Sequence, residues 1–512
     1  MAIPQAPQGS APPNQIAQFR SDGFTAATGL RVPFFSDGFS RAYGLPETRL
    51  VNMISEATPL REERPYVPLI GLREIRFSRP GLVATYAYGS GPIRALALAP
   101  PSFGDGFYIV SGNTIYNQAG ANLGTIPGSD LVRIASSRDQ VVAVSSGVAY
   151  LYEGPGTTFT AIVNPVLPPV SDVAYLAARF IYQVAASDRF YYSEIDDAAN
   201  ETGLDFATAE SNADNTVGIA ILNEEVVFFG AQSVEFWQLG TDPSAPFTPI
   251  VGRGYQRGCA AQGSIVFADN ALFWVGDNRV VYRSDNANTR ISSNSIDDKL
   301  RQCPDIAAVT AFSATFEGHE LYVLNIPGVG SYAYDCSRVG TVMGAYADSY
   351  SRGEWSEWQS FGRGQFRGQV ALAVNDVTYV GDDTTNAVGV FRDGVYSDYG
   401  DPLARIASAF IKIEEGRPRC LNLVLQCGVG VGNPVDPGSA PVAEMRFSDD
   451  LGRTFSEWRS APLGLMGDYA NRAFWQRLGL MRAPGRLVEV RVSDPVNAVY
   501  SHLELNASRP AG

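Results

Sequence analysis

The chain has 512 residues, with 39 basic and 53 acidic side chains and a formal net charge of −14, a balance that excludes a protein built to wrap DNA by charge. At 45% hydrophobic and 18% charged residues it is too apolar for disorder and too poor in charge for a long coiled coil. Glycine (51) and proline (32) are abundant and aromatics reach 11%, as many short strands joined by tight turns require, so an all-β fold is expected.

Residues 1–70 are expected to form an N-terminal arm and attachment segment. Met1 to Arg20 reads MAIPQAPQGSAPPNQIAQFR, with neither a basic head nor an apolar block, so it is a flexible Pro/Gln arm rather than a signal peptide or anchor. Two SDGF turns follow at 21–24 and 36–39. No uncharged apolar run of about 18 residues occurs, so no helical membrane span is expected.

Over residues 71–402 one unit recurs: a polar turn, an apolar strand, a second turn and an aromatic-bearing strand. Instances are GDGFYIVSGNTIYN (104–117), RDQVVAVSSGVAYLYEG (138–154), ARFIYQVAASDRFYYSEI (178–195), NEEVVFFGAQSVEFWQL (223–239), DNALFWVGDNRVVYRSD (269–285), FEGHELYVLNIPGVGSYAYD (316–335) and NDVTYVGDDTTNAVGVFRD (375–393). With Tyr108, Val142, Tyr182, Val227, Phe273, Tyr322 and Tyr379 as equivalent centres, the spacings are 34, 40, 45, 46, 49 and 57 residues. Spacings near 40–50 match four-stranded propeller blades. One apolar-faced hairpin is not stable alone and must stack on its like, and radial stacking leaves only short, protected edges. A β-propeller of six or seven blades is therefore expected; a pair of β-sandwiches is the alternative, and it gives no reason for the spacing.

Residues 403–512 are expected to form a separate, sandwich-like C-terminal β domain, because the alternating strands VAEMRFSDD, RAFWQRLGL and RLVEVRVSD return after a Gly/Pro loop at 428–441. Residues 401–512 hold 13 basic and 12 acidic side chains, which leaves 26 basic against 41 acidic, net −15, in residues 1–400.

The residues offer no catalytic, cofactor-binding or metal-ligating set. His319, in the turn Glu317-Gly318-His319-Glu320, and His502 stand near no Gly-x-Ser-x-Gly elbow and are read as structural. Cys259, Cys303, Cys336, Cys420 and Cys427 form no C-x-x-C clip, which fits a reducing compartment and argues against zinc. Gly428 to Gly432 (GVGVG) lacks a following helix or Lys-Ser/Thr and is read as a flexible loop, not a phosphate cradle. Only Lys299 and Lys412 are lysines, an arginine excess that codon bias explains more simply than bidentate phosphate contacts. Arg446, Arg453, Arg459, Arg472, Arg477, Arg482, Arg486 and Arg491 nevertheless make the C-terminal region the best place for contact with an acidic surface, against the plainer reading of solubility and ion pairs. The segments Trp355-Ser356-Glu357-Trp358 and Phe455-Ser456-Glu457-Trp458 echo each other and are read as strands whose tryptophans anchor a hairpin.

Ser448-Asp449-Asp450-Leu451-Gly452-Arg453-Thr454-Phe455 is similar to the Asp box of sialidases, a turn device in which the Asp caps turn amides. It occurs once, outside the repeats, so a sialidase-like carbohydrate-active propeller is the alternative function. A broader resemblance runs along the chain. Arg49-Leu50-Val51-Asn52-Met53-Ile54-Ser55-Glu56 before Ile70-Gly71-Leu72-Arg73, Gly254-Tyr255-Gln256-Arg257-Gly258-Cys259, SIVFADNALFWVGDNRVVY (264–282), Arg290-Ile291-Ser292-Ser293-Asn294-Ser295-Ile296-Asp297, MRFSDDLGRTFSEWRSAPLG, WQRLG and VEVRVSDPV together resemble the tail nozzle, or packaged-DNA stabilisation, proteins of short-tailed bacteriophages. The Pro/Gln arm and the SDGF turns depart from that pattern.

The resemblance implies a non-enzymatic virion tail protein, made in the host cytoplasm, without cofactors. It implies a homo-oligomeric ring of six below the portal and adaptor that seats fibres or a needle and makes transient, non-specific contact with genomic double-stranded DNA in its channel. An acidic wall suits that role, since dense arginine would grip the duplex through counterion release. Loops closing the channel are expected to be propeller turns rich in Asp, Asn and Gly.

Overall fold

The computed structural model describes residues 18–19, 26–34, 46–58, 73–200, 206–209, 214–242, 245–284, 287–338, 355–414 and 416–508. It divides into two compact units: Gly81–Asp393, and a second built from described residues of Met1–Pro80 and Gly394–Gly512. Most of the Pro/Gln arm, both SDGF turns and Ile70 to Leu72 lie outside the described residues. Among the described residues no helix is long and apolar enough to cross a membrane.

Gly81–Asp393 is a propeller of seven four-stranded blades, which decides between the six and seven the repeats allowed. Blade 1 runs outward through Ile93–Leu98, Phe107–Ser111, Thr114–Asn117 and Asn122–Thr125. The innermost strands of blades 2 to 6 are Arg133–Ser136, Val170–Leu176, Thr216–Leu222, Val266–Ala268 and Thr310–Phe316. Blade 7 takes Gly368–Val374, Val377–Asp382 and Ala387–Arg392 from the end of the unit and its outermost strand, Gly81–Ala87, from the start. That pairing of first strand with last closes the ring without a covalent join and leaves blade 7 no unfinished edge.

All seven repeat centres fall on the second strand of their blades, and six of them, from Tyr108 to Tyr322, are completely buried. Their neighbours bind blade to blade. Phe190 stacks on Phe228 at 4.4 Å between blades 3 and 4, Phe273 on Tyr322 at 5.2 Å between blades 5 and 6, and Phe107 meets Tyr379 at 4.8 Å across the closure. Each such pair contributes about 0.5–1.5 kcal/mol beyond simple burial. The widest repeat spacing has a simple origin: in blade 6 the outermost strand Trp355–Trp358 follows residues 339–354, which lie outside the described set.

Turns after the innermost strands each place an acidic residue in a tight hairpin in four of the blades. In blades 4 to 7 they are Asn223-Glu224, Asp269-Asn270, Glu317-Gly318 and Asn375-Asp376, every residue at positive φ. This is the hairpin geometry that selects Asn, Asp and Gly. Blade 3 makes the same turn with Ala177 (φ 53°) and Ala178 (φ 62°), neither suited to it.

The second unit is a sandwich, and it differs from the expected 1–70, 71–402 and 403–512 division. One sheet orders Leu50–Val51, Arg405–Ile413, Gly485–Val492, Val442–Ser448 and Arg459–Pro462. The other orders Met53–Thr58, Arg73–Ser78, Val499–Ser508, Arg419–Cys427 and Ala473–Gln476, with Ala26–Pro33 also on Val499–Ser508. One core, including Val32, Leu50, Met53, Leu423, Trp475, Val488 and Leu503, lies between them. The N-terminal strands are therefore part of the C-terminal sandwich rather than a separate arm, because only there can Val32, Leu50 and Met53 be buried. The chain passes from one sheet to the other at Asn52, whose φ of 54° breaks Leu50–Val51 from Met53–Thr58.

The sandwich holds a buried ion pair. Arg79 and Asp398 are 0% and 1% exposed, joined by two hydrogen bonds of 3.0 and 2.7 Å. Arg79 Nε also donates to Asn52 Oδ1 at 3.0 Å, and Asn52 Nδ2 to the Ala404 carbonyl at 2.9 Å.

Candidate functional site

The propeller axis is the place where sequence-distant polar residues converge. Innermost strands carry few charges, and those present, Arg94, Arg133 and Asp172, all lie near the strand starts, hence at one end of the axis. There Arg133 of blade 2 donates to the carbonyl of Gln262, which precedes the innermost strand of blade 5, at 2.8 Å. In a ring of seven these blades are not neighbours, so the bond spans the axis. Gln262 Nε2 in turn donates to the Ser171 carbonyl and to Asp172 Oδ2, both at 3.0 Å, and the Ile219 amide of blade 4 donates to the same oxygen at 3.1 Å. Asp172, 4% exposed, also accepts from the Val173 amide at 2.9 Å. Four blades are thereby tied together through one carboxylate and one amide.

The local sequence explains how Gln262 reaches this point. Gly258 presses on the backbone of the preceding blade: a Cβ there would stand 2.2 Å from the Ala231 carbonyl carbon, so only glycine fits. Beyond it, the Cys259 amide binds the Gly230 carbonyl and the Ala260 amide the Val275 carbonyl. Ser264 Oγ donates to the Ala261 carbonyl at 2.6 Å and accepts from the Val275 amide at 3.0 Å. The Gly254-to-Cys259 motif is thus the support for the axial brace. β-Bulges serve the same end, since the pairing slips at Arg94, Ser171, Val217 and Gln369 at the starts of four innermost strands. Bulges re-aim side chains in this way, and Gln369 Nε2 uses it to reach the Ile93 carbonyl at 2.7 Å across the ring closure.

Arg94 fixes the neighbouring blades. Its guanidinium, 2% exposed, donates to the carbonyls of Asp130, Gly112 and Ile126 at 2.7, 3.0 and 2.8 Å, and pairs with Asp130 Oδ1 at 3.1 Å. Burial pulls its pKa below the usual arginine value, against the attraction of Asp130. Burial also opposes ionisation of Asp130, but the amide and hydroxyl of Ser146 and the hydroxyl of Ser145 outweigh it and hold the carboxyl low.

The sequence motifs resolve into structural devices. In the Asp box, Asp450 Oδ1 accepts from the Arg453 and Thr454 amides at 3.0 and 2.9 Å and from Ser448 Oγ at 2.7 Å. The Ser448 and Thr454 hydroxyls and these amides hold its carboxyl far below the ordinary range. Ser293 caps the single described α-helix, Asn294–Gln302, and Asp297 accepts from Ser292 Oγ and an Arg290 NH2. His319 Nδ1 lies 2.8 Å from Asp335 Oδ2, while Ser337 Oγ approaches the same nitrogen at 3.4 Å, so the three form no relay. His502 Nδ1 meets Ser501 Oγ at 3.0 Å. Among the described residues no group of three His, Cys, Asp or Glu could hold a metal ion.

Two expectations need correction, the strand at Phe455 to Trp458 and the flexible glycine loop. Trp355–Trp358 is a strand with both tryptophans buried, but Phe455 to Trp458 is not. Trp458 is instead clasped between the guanidinium groups of Arg446 and Arg491, at 4.6 and 4.2 Å from its ring. Arg446 and Arg491 pair with Glu489 and Glu444 on the facing strand, and Arg486 pairs with Asp449 at 2.7 Å, so these three arginines are structural. The Gly428-to-Gly432 loop, expected to be flexible, is bound at its start and its middle: the Gly428 amide donates to Val499 O, the Gly430 amide to Leu463 O, and Gly430 O accepts from the Gly467 amide. Its glycines are needed because a Cβ at Gly432 would meet the Ser439 carbonyl at 2.5 Å.

A family model described as the bacteriophage P22 Gp10 β-propeller, Phage stabilise, matches residues 91–396. The chain belongs to this family. Within the phage-stabilise family it is similar to the tail hub protein gp10 of Salmonella phage P22, 22% identical over 400 residues that cover 73% of this chain and 80% of that protein. Among solved structures, the Myceliophteria thermophila Cps50 (Swd1) β-propeller domain covers 60% of this chain and 98% of its own at a TM-score of 0.39 and 8% identity. The Neurospora crassa Pan2 WD40 domain covers 61% and 94% at 0.37 and 10%. Arg79, Arg94, Arg133, Asp172, Gln262 and Asp398 were not marked by the sequence, although Asn52 beside Arg79 and Gly258 before Gln262 lie in segments that were.

Proposed function

We propose that this protein is a structural phage-tail hub subunit. It assembles as a ring of six beneath the portal and adaptor, seats fibres or a needle, and encloses a conduit that retains and then conducts double-stranded DNA. The observation that carries this reading is the family match over 91–396, nearly the whole propeller. Charge supports it: residues 81–393 hold 17 basic and 33 acidic side chains, net −16. A duplex with one charge per about 1.7 Å releases few counterions to such a surface and slides past it. Because the Arg133–Gln262 brace crosses the propeller's own axis, the conduit lies between copies. Acidic turns such as Asp269-Asn270, Glu317-Gly318 and Asn375-Asp376 face that lumen, and retention is mechanical.

Light scattering and electron microscopy of the purified chain test the reading, together with duplex binding at low and high salt. Rings of about six copies with weak duplex binding are expected. A protein that stays monomeric at all concentrations, or one that grips DNA with a steep salt dependence, refutes it.

A further inference from the structure

Two sets stand out among the arginines of the sandwich. Arg446, Arg486 and Arg491 are paired beneath aromatics, whereas Arg417, Arg419, Arg459, Arg472, Arg477 and Arg482 are exposed, with no carboxylate within ion-pair distance among the described residues. The exposed set sits together. Residues 472–482 run beside 417–425, through the Asn422–Gln476 register, the Arg477 amide on Leu421 O, the Cys420 amide on Gly479 O and the Arg419–Leu480 bridge. Arg459 joins them: its carbonyl accepts from Trp475 Nε1 at 2.7 Å and its guanidinium reaches Gln476 O. Between these cations stand Leu421, Phe474 and Leu480, 43%, 47% and 46% exposed. Strands Arg459–Pro462 and Ala473–Gln476 are the edges of their two sheets, so the face also borders open backbone. Arginine interleaved with exposed apolar and aromatic side chains is the composition of a protein–protein contact.

The propeller carries a match in kind. Turns at the ends of blades 3 and 4, all opening on one face, expose Glu194, Asp196, Glu224 and Asp242 together with Ile195 (62%) and Leu239 (54%). Of these acids Glu194 is already paired with Arg179 at 3.7 Å, and Arg253 is held by Glu225, so Asp196 and Glu224 keep their charge free of an arginine among the described residues. We infer that the arginine–apolar face of the sandwich in one copy docks on the acidic–apolar turn sector of blades 3 and 4 in a second copy. The contact is head-to-tail, of the type that closes into a ring. Duplex DNA is the less fitting occupant, because Leu421, Phe474 and Leu480 offer phosphates nothing. The inference rests on the oligomeric hub proposed above and names the surfaces that build it.

Two double variants with exposed substitutions test it: Arg472→Glu with Arg477→Glu, and Glu194→Arg with Glu224→Arg. Circular dichroism and the unfolding midpoint serve as folding controls. By light scattering the unaltered chain assembles, and each variant alone dissociates with at least a tenfold weaker association constant. An equimolar mixture of the two reassembles, since alternating copies restore opposite charge at every contact. Variants that assemble like the unaltered chain overturn the docking while leaving the ring reading intact, whereas an unaltered chain that is monomeric at about 100 μM overturns both. Loss of duplex binding in the arginine variant with assembly unchanged overturns it in favour of a polyanion site.

Discussion

Asp398→Ala is the most informative single substitution in the sandwich. It removes the two hydrogen bonds that join the Asp398 carboxylate, at 3.0 and 2.7 Å, to an Arg79 guanidinium that is 0% exposed. Two hydrogen bonds to charged groups at about 1.5–3 kcal/mol each give about 3–6 kcal/mol. Breaking buried pairs elsewhere costs about 3–5 kcal/mol. For a unit of this size each kcal/mol lowers the melting temperature by about 2–4 °C, so the sandwich transition in scanning calorimetry drops by about 6–20 °C. The double variant Arg79→Met with Asp398→Leu regains most of the loss, because neither charge of the pair is left behind in the core. A shift under about 1 kcal/mol for Asp398→Ala would refute the reasoning, and so would a double variant as unstable as the single.

Asp172→Ala removes the acceptor of the Ile219 amide and leaves Gln262 Nε2 only the Ser171 carbonyl, and it lowers propeller stability by about 2–4 kcal/mol; hydrogen exchange then shows the Ile219 amide opening first, and unchanged protection there disproves the brace. Replacing Ala177-Ala178 with Asn-Gly relieves two residues at φ 53° and 62° and raises stability by about 1 kcal/mol in denaturant titrations; a loss would show that the turn is not the hairpin described. Burial pushes the thiols of Cys420, Cys259 and Cys427 up to about 11, 12 and 12, and Cys336 higher. The native protein at pH 8 therefore reacts with almost no thiol reagent, and the unfolded chain with five equivalents; rapid native labelling of two or more would contradict the packing.

The repeat was legible because a hairpin is local. Two-residue turns such as Asn223-Glu224 and apolar centres such as Val227 announce themselves within a single hairpin, although whether six or seven blades result was decided by the fold. The Asp box was legible for the same reason, as Asp450 bonds only residues two to four places away. What the sequence alone determined is therefore the all-β class, the blade unit, the acidity of its turns and the family pattern. Only the tertiary structure decided that Gly81–Ala87 completes the blade of Ala387–Arg392, that the N-terminal strands belong to the C-terminal sandwich, and that Arg79 meets Asp398. It also decided that Arg133 reaches Gln262 across the axis. Each joins residues far apart in the chain, and a lone strand or charge carries no periodicity that names its partner. Burial of one shared core, and the need to pair every buried charge, selects the partner once the whole chain is folded.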